Sequence, residues 1–432
     1  MQHPLNTFLD IKPPSTPTPK HSITMYEPTY TSPSTNRQLS IFPRQCNFLK
    51  VVGLWPLQKT EPELTKFGYF YRSWCIFTIV LVLLTCIVQA LFIVHNLHDI
   101  LYFTEGCCTV LMGLHNLIRI IHLFWERRKF KAVIRFFASK IWFAEDDNEV
   151  VSRICERESV VIRIISISLL LLIGMYVILP VVDVVLHPDM VTKPFPYKMW
   201  FPFDAQKPVA YVVTYILTSW AGICVVTTLL AEDSIFCYFI IYTCGQFRIL
   251  KDKIDGLKDG DMVKANGDVL VDGGGIKKDL RRIVGHHNVL ISFCNKLEEL
   301  FSPILLVNFV ISSFLICVVG FQIASVKMSL GNLAKLIVYI LSALNQLLIL
   351  CLYGDNLIHH SVGVGDALFF CGWHEWKRPD VTKTLILPLM RSQRPVKITA
   401  FKFSVLSLPS FGAILSTSLS YFTLLRTFIE SE

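Results

Sequence analysis

The sequence reads as an all-α membrane protein with seven transmembrane helices, its N-terminus cytoplasmic and its C-terminus extracellular. Three observations carry that reading. Of 432 residues, 53% are hydrophobic and only 17% are charged, against about 25% charged in soluble domains. So little charge cannot cover a soluble protein of this size. Seven stretches approach or exceed the roughly 20 apolar residues that a bilayer core of about 30 Å requires. Finally, Lys and Arg are concentrated in alternate connecting segments. The net charge of +8 follows from that concentration and calls for no polyanionic partner, so nucleic-acid binding is set aside.

The elements follow in chain order. Residues 1–45 are rich in Pro, Ser and Thr without periodicity, and are expected to be a disordered cytoplasmic tail. No apolar run near Met1 resembles a signal peptide, so the first span reads as a retained anchor. The chain then tightens into Gly53-Leu54-Trp55-Pro56. Residues 46–231 carry four spans, at 74–94, 100–123, 160–186 and 209–231. Open sheet cannot span, because its edge amides would go unpaired in lipid.

Segment 232–300 is the longest connection. Ile235, Phe239, Tyr242, Phe247 and Leu250, then Leu280, Ile283, Val284, Leu290, Phe293 and Leu297, recur at helical spacing. They predict cytoplasmic extensions of the flanking spans around an insert at 256–279, whose Gly and Asp content suggests a flexible linker. Spans at 301–323 and 333–353 follow. Segment 354–396, with Ala367-Leu368-Phe369-Phe370 and Trp373, reads as an apolar cytoplasmic anchor, too short to span. Residues 397–425 contain the last span, placed at 403–425, and 426–432 form an extracellular tail.

Orientation rests on counting. The segments 1–73, 124–159, 232–300 and 354–396 hold 31 Lys and Arg, and the alternate set holds 5. The positive-inside rule then puts the N-terminus in the cytoplasm. All thirteen cysteines fall in spans or cytoplasmic segments, so no extracellular disulfide framework is expected.

Catalytic, metal and cofactor signatures are absent. Gly273-Gly274-Gly275 lacks the Lys-Ser/Thr sequel of a phosphate loop. His286-His287 and His359-His360 are neighbours, which do not share a helix face. A G-protein-coupled receptor is disfavoured by the inverted topology, by the ending Val181-Val182-Asp183 of the third span, and by the lack of Asn-Pro-x-x-Tyr in the seventh. No internal repeat supports a transporter. His115 and Arg119 lie one turn apart near the cytoplasmic end of the second span. They are either a functional polar cluster or an arginine snorkelling to the interface.

Several motifs carry a family resemblance. Gly53-Leu54-Trp55-Pro56 before the first span is similar to the N-terminal signature of insect odorant receptors. The run from Pro395 to Ala400, Phe411-Gly412-Ala413-Ile414-Leu415, and Ser420-Tyr421-Phe422-Thr423-Leu424-Leu425 resemble their last span. The inverted seven-span plan matches as well. The resemblance implies a ligand-gated, non-selective cation channel without cofactors, in which a ligand-tuned subunit joins a shared co-receptor as a hetero-oligomer, a tetramer in this family. It implies a plasma-membrane location, in the dendrite of an olfactory sensory neuron. The C-terminus does not resemble the co-receptor's, which points to a tuning subunit. Gustatory receptors share the plan, but their Thr-Tyr-x-x-x-x-x-Gln-Phe ending is missing. A seven-span signalling receptor without a pore and a multi-pass enzyme or carrier are the readings from other classes.

The resemblance implies an odorant or pheromone pocket in the outer halves of the second, third, fourth and sixth spans, with help from the fifth. At that depth lie Phe103, Glu105, Met175, Tyr176, Leu179, Tyr211, Tyr215, Phe314, Phe321 and Tyr339. Each could instead pack between helices or face lipid. The resemblance also implies that the final span lines the pore. There Thr417, Ser420, Tyr421, Leu424 and Phe428 share one helix face. The closed ring is expected at Leu424, with Thr427 and Phe428 just above it, blocking ions by dewetting. Phe369, Phe370 and Trp373 are the expected anchor interface.

Overall fold

A computed structural model describes residues 43–55, 65–98, 100–142, 149–188, 192–258, 262–265, 268–271, 273–325, 330–375 and 379–430. The expected tail at 1–45 lies almost wholly outside the described residues. Helix α1 is Pro43–Val52, α2 Thr65–His95, α3 Ile100–Trp125, α4 Arg127–Phe136, α5 Glu149–Leu186 and α6 Pro208–Asp255. After a hairpin of β1 (Met262–Ala265) and β2 (Asp268–Val271) come α7 (Gly273–Ser325), α8 (Leu330–Phe369) and α9 (Pro379–Ser392). A second hairpin, β3 (Thr399–Ala400) with β4 (Ser404–Val405), leads into α10 (Leu408–Glu430).

Among the described residues, six helices (α2, α3, α5, α6, α7 and α8) are long and apolar enough to cross a membrane. Helix α10, with 23 residues, reaches about 34 Å, enough for the hydrocarbon core. Helices α6 and α7 have 48 and 53 residues, roughly 70 and 80 Å. Both therefore run far beyond any bilayer. The apolar residues read at helical spacing explain why they stay folded there. Phe239, Phe247, Leu250, Leu280, Leu290, Phe293 and Leu297 are all fully buried. Helix α4 and the π-turn after it cover this core: Phe137 meets Phe239 at 4.9 Å and Trp142 meets Tyr242 at 4.7 Å between ring centroids.

The Gly53-Leu54-Trp55 signature caps α1. Gly53 has φ +83°. Its N–H donates to Lys50 O at 3.1 Å, and Leu54 N–H donates to Leu49 O at 2.8 Å. This is a Schellman cap, which needs a left-handed residue. A Cβ at Gly53 would also sit 3.0–3.1 Å from Cys75 and the Tyr71 carbonyl, so glycine is required twice. The turn buries Trp55 edge-on against Phe130, centroids 6.3 Å apart, and ties α1 to the body of the bundle.

Two boundaries differ from the sequence reading. The insert at 256–279 contains the β1–β2 hairpin rather than a structureless linker. Val263 pairs with Leu270 across it, and β-branched residues around Asn266-Gly267 in the sequence favour such pairing. The last span begins at Leu408, not 403. Phe401 and Lys402 adopt φ of 51° and 61°, the turn between β3 and β4, and so cannot continue a helix.

Candidate functional site: cavity, charged node and final helix

A cavity of about 70 Å³ lies among α2, α3, α5, α6 and α8. Its wall includes Val82, Cys86 and Gln89 from α2, Met112 and Gly113 from α3, Ile173 and Tyr176 from α5, Gly222, Val225 and Val226 from α6, and Tyr339 from α8. Tyr197 enters from the 187–207 segment, with its ring 5.4 Å from that of Tyr176. Space for it exists because position 222 is glycine: a Cβ there would overlap the Tyr197 hydroxyl. Burial raises the Tyr197 pKa, so the phenol stays neutral and can donate. The cavity is small. An engineered apolar cavity of about 150 Å³ elsewhere takes benzene, so a ligand of that size needs the Tyr197 or Tyr176 ring to move.

Of the ten residues read as pocket candidates, Tyr176 and Tyr339 line this cavity. Tyr339 is buried, and its hydroxyl lies 3.4 Å from Cys108 O. Tyr211 and Tyr215 instead brace the surrounding backbone, donating to Pro194 O at 2.8 Å and Val177 O at 2.6 Å. Glu105 pairs with Lys198 at 3.9 Å. Phe103, Met175 and Leu179 are half-buried outside the cavity wall. Phe321 is buried in the core, whereas Phe314 faces outward. The sequence reading missed Gln89, Tyr197 and Gly222. It looked for no wall on the first span and none in a connecting segment.

One layer further along the helices lies a charged node. Arg119 does not snorkel; it is 1% exposed. Its Nη1 donates to Asp233 Oδ1 at 2.7 Å and lies 3.4 Å from Glu232 Oε2, while Nε donates to His115 Nε2 at 3.0 Å. Gln346 Nε2 of α8 donates to Asp233 Oδ2 at 2.6 Å. The node thus joins α3, α6 and α8 through groups that would each be costly if left alone.

On α10, Ser418 is buried and donates to Ser313 O of α7 at 3.0 Å. The opposite face is uncovered: Thr417, Ser420, Tyr421, Leu424 and Thr427 are all exposed. Thr417, Ser420 and Thr427 satisfy their hydroxyls on backbone carbonyls of their own helix at 2.9 Å. Phe428 belongs to α10, but its side chain lies outside the described residues. In the segment read as an anchor, Phe369 and Phe370 are exposed and Trp373 is half-buried.

A sequence model described as the 7tm odorant receptor family matches residues 99–419. The chain belongs to the insect odorant receptor family. Odorant receptor 13a of Drosophila melanogaster is 45% identical over 403 residues, covering 89% of this chain and 95% of the relative. Odorant receptor 22c of the same fly is 32% identical over 236 residues, 54% of this chain and 58% of the relative. In fold, this odorant receptor is similar to olfactory receptor OR5 of Machilis hrabei, with TM-score 0.74 and 17% identity, covering 91% of this chain and 99% of the other. It is accordingly a multi-pass membrane protein, and the relatives matched are receptors rather than enzymes.

Proposed function

We propose that this odorant receptor is the ligand-tuned subunit of a non-selective cation channel, formed at the plasma membrane of an olfactory sensory neuron with a shared co-receptor. The cavity bounded by Tyr176, Tyr197, Gly222 and Tyr339 is the observation that carries the reading. It is an apolar space with a few hydroxyls, deep enough to desolvate a volatile molecule, and burial there stabilises binding by about 25 cal/mol per Å². The OR5 neighbour is described in complex with eugenol, and the chains share a fold.

The N-terminus is cytoplasmic and the C-terminus extracellular in this reading, which the distribution of 31 against 5 basic residues supports. The uncovered α10 face, with Leu424 as its narrowest ring, lines the pore. Phe369, Phe370 and Trp373 face neighbouring subunits. A ligand opens the pore only by binding the open state more tightly than the closed one.

The test is a panel of volatiles applied to cells expressing the chain with a co-receptor of the same family, with no added G protein. Current within milliseconds of application is expected. A response that depends on G protein, or that survives filling of the cavity by Met112→Trp, would overturn the reading.

A further inference from the structure

Gln89 stands apart from the rest of the cavity wall. It comes from α2, is 3% exposed, and faces a space whose other α2 walls are Val82, Thr85 and Cys86. Thr85 and Thr109 spend their hydroxyls on their own helices, on Leu81 O at 2.9 Å and Gly106 O at 3.1 Å. The Tyr339 hydroxyl reaches Cys108 O. Gln89 Oε1 has no hydrogen-bond partner among the described residues. A buried amide oxygen without a partner is destabilising, and such groups are rare in folded proteins. Asn116 on the neighbouring helix also has an unpartnered Oδ1, with its amide donating to Met112 O at 3.0 Å, but it is not part of the cavity wall.

We propose that Gln89 is the specificity-determining residue of this cavity and that it selects a neutral, apolar ligand carrying one hydroxyl. The inference rests on the cavity being the odorant site. A carboxamide presents both an acceptor and a donor. A hydroxyl can donate to Oε1 or accept from Nε2, so it answers the amide in either orientation. A carbonyl only accepts, and an alkane does neither. The neighbourhood adds shape. Gly113 makes room for Cys86, whose Sγ would stand 2.7 Å from a Cβ there, and Gln89 Oε1 lies at contact distance, 3.7 Å, from the same point on α3. Tyr197 and Tyr176 close the space from the opposite wall. A charged ligand is disfavoured, because no ionised side chain lines the cavity.

The experiment uses the full chain with its co-receptor and three probes of equal heavy-atom count: 1-pentanol, pentanal and hexane. Currents are recorded for the parent, Gln89→Leu and Gln89→Met, and surface level is measured for each. Thermal shift of the purified chain by the same probes gives binding without gating. The parent is expected to prefer 1-pentanol. Both variants should lose about tenfold in 1-pentanol potency, with hexane unchanged or improved. If the three probes shift together, or none shifts, while Met112→Trp abolishes responses, the cavity is the odorant site but Gln89 is a structural glutamine only, and the proposal fails. If Met112→Trp leaves all responses intact, the cavity itself is not the site, and both readings fall.

Discussion

Replacing one member of the charged node gives a quantitative test of how α3, α6 and α8 are held together. Arg119 is flanked by two carboxylates at 2.7 and 3.4 Å, and all three groups are wholly or largely buried. Arg119→Leu leaves Glu232 and Asp233 adjacent and uncompensated, which costs about 3–5 kcal/mol when a buried pair loses one partner. Asp233→Asn keeps the shape and leaves Glu232 to answer the guanidinium. It removes one charge-assisted hydrogen bond, worth about 1.5–3 kcal/mol. In the double variant no cation is left for Asp233 to serve, so the second change should cost little. The expected coupling is about 2 kcal/mol, or roughly a 30-fold difference in unfolding equilibrium. Unfolding of the purified chain by titrated SDS in mixed micelles, with all four members of the cycle, measures it. Single-variant costs that add to within about 0.5 kcal/mol would show that the contact is not energetically real and refute the reasoning.

Three further outcomes are expected. Gly53→Ala forces a left-handed alanine, costing about 1–2 kcal/mol, and presses a methyl on Cys75; its thermal midpoint should fall below that of Val51→Ala, a change at an exposed residue of the same helix. Gly222→Ala should displace Tyr197 and change the rank order of volatiles, and adding Tyr197→Phe, which removes the overlapped hydroxyl, should restore part of that order in current recordings. Leu424→Cys should make current sensitive to a membrane-impermeant thiol reagent applied outside; unchanged current, selectivity and reagent response would remove Leu424 from the pore.

The spans were legible because a 20-residue apolar run has few other fates, and the extensions because Phe239, Leu250, Phe293 and their neighbours recur at helical spacing. What failed depended on pairing at a distance. Glu232 and Asp233 stand just past an apolar run at Ala231, at the start of the expected cytoplasmic extension, and nothing local says that Arg119, 113 residues before Glu232, meets them. The β1–β2 hairpin did have a local signal, Asn266-Gly267 between Val-rich runs, which the surrounding glycines obscured. Rotation about a helix axis was the main obstacle at the cavity. Tyr176, Tyr211 and Tyr215 lie at similar expected depths, yet only Tyr176 faces inward. The other two turn toward the backbone at Pro194 and Val177, which no local pattern locates. Tyr197 was hidden because it lies on a segment between spans, and Gly222 because a glycine announces room only when the group that fills it is known.

The register of the cavity and the node follows from helix arithmetic. Met112 and Arg119 on α3, Val226 and Asp233 on α6, and Tyr339 and Gln346 on α8 are each seven residues apart. Seven residues return to nearly the same face, about 20° off, some 10 Å along the axis. By the topology proposed above, these three helices cross the membrane in the same direction, so the displacement is common to all three. The face that walls the cavity is therefore the face that, two turns on, is tied by charge. Where moving the Tyr176 or Tyr197 ring is not enough to seat a ligand larger than about 70 Å³, α3, α6 and α8 would have to part at the cavity, and the node resists separation at the next layer. Separating the helices there would strip Arg119 of its carboxylates, at the cost estimated for the single variants. Tilting them about the node would not. The geometry thus favours a pivot at Arg119–Asp233 over a uniform widening of the bundle, and it makes the long α6 extension, continuous with the pivot through Ile235 and Phe239, the element that would carry the tilt beyond the membrane.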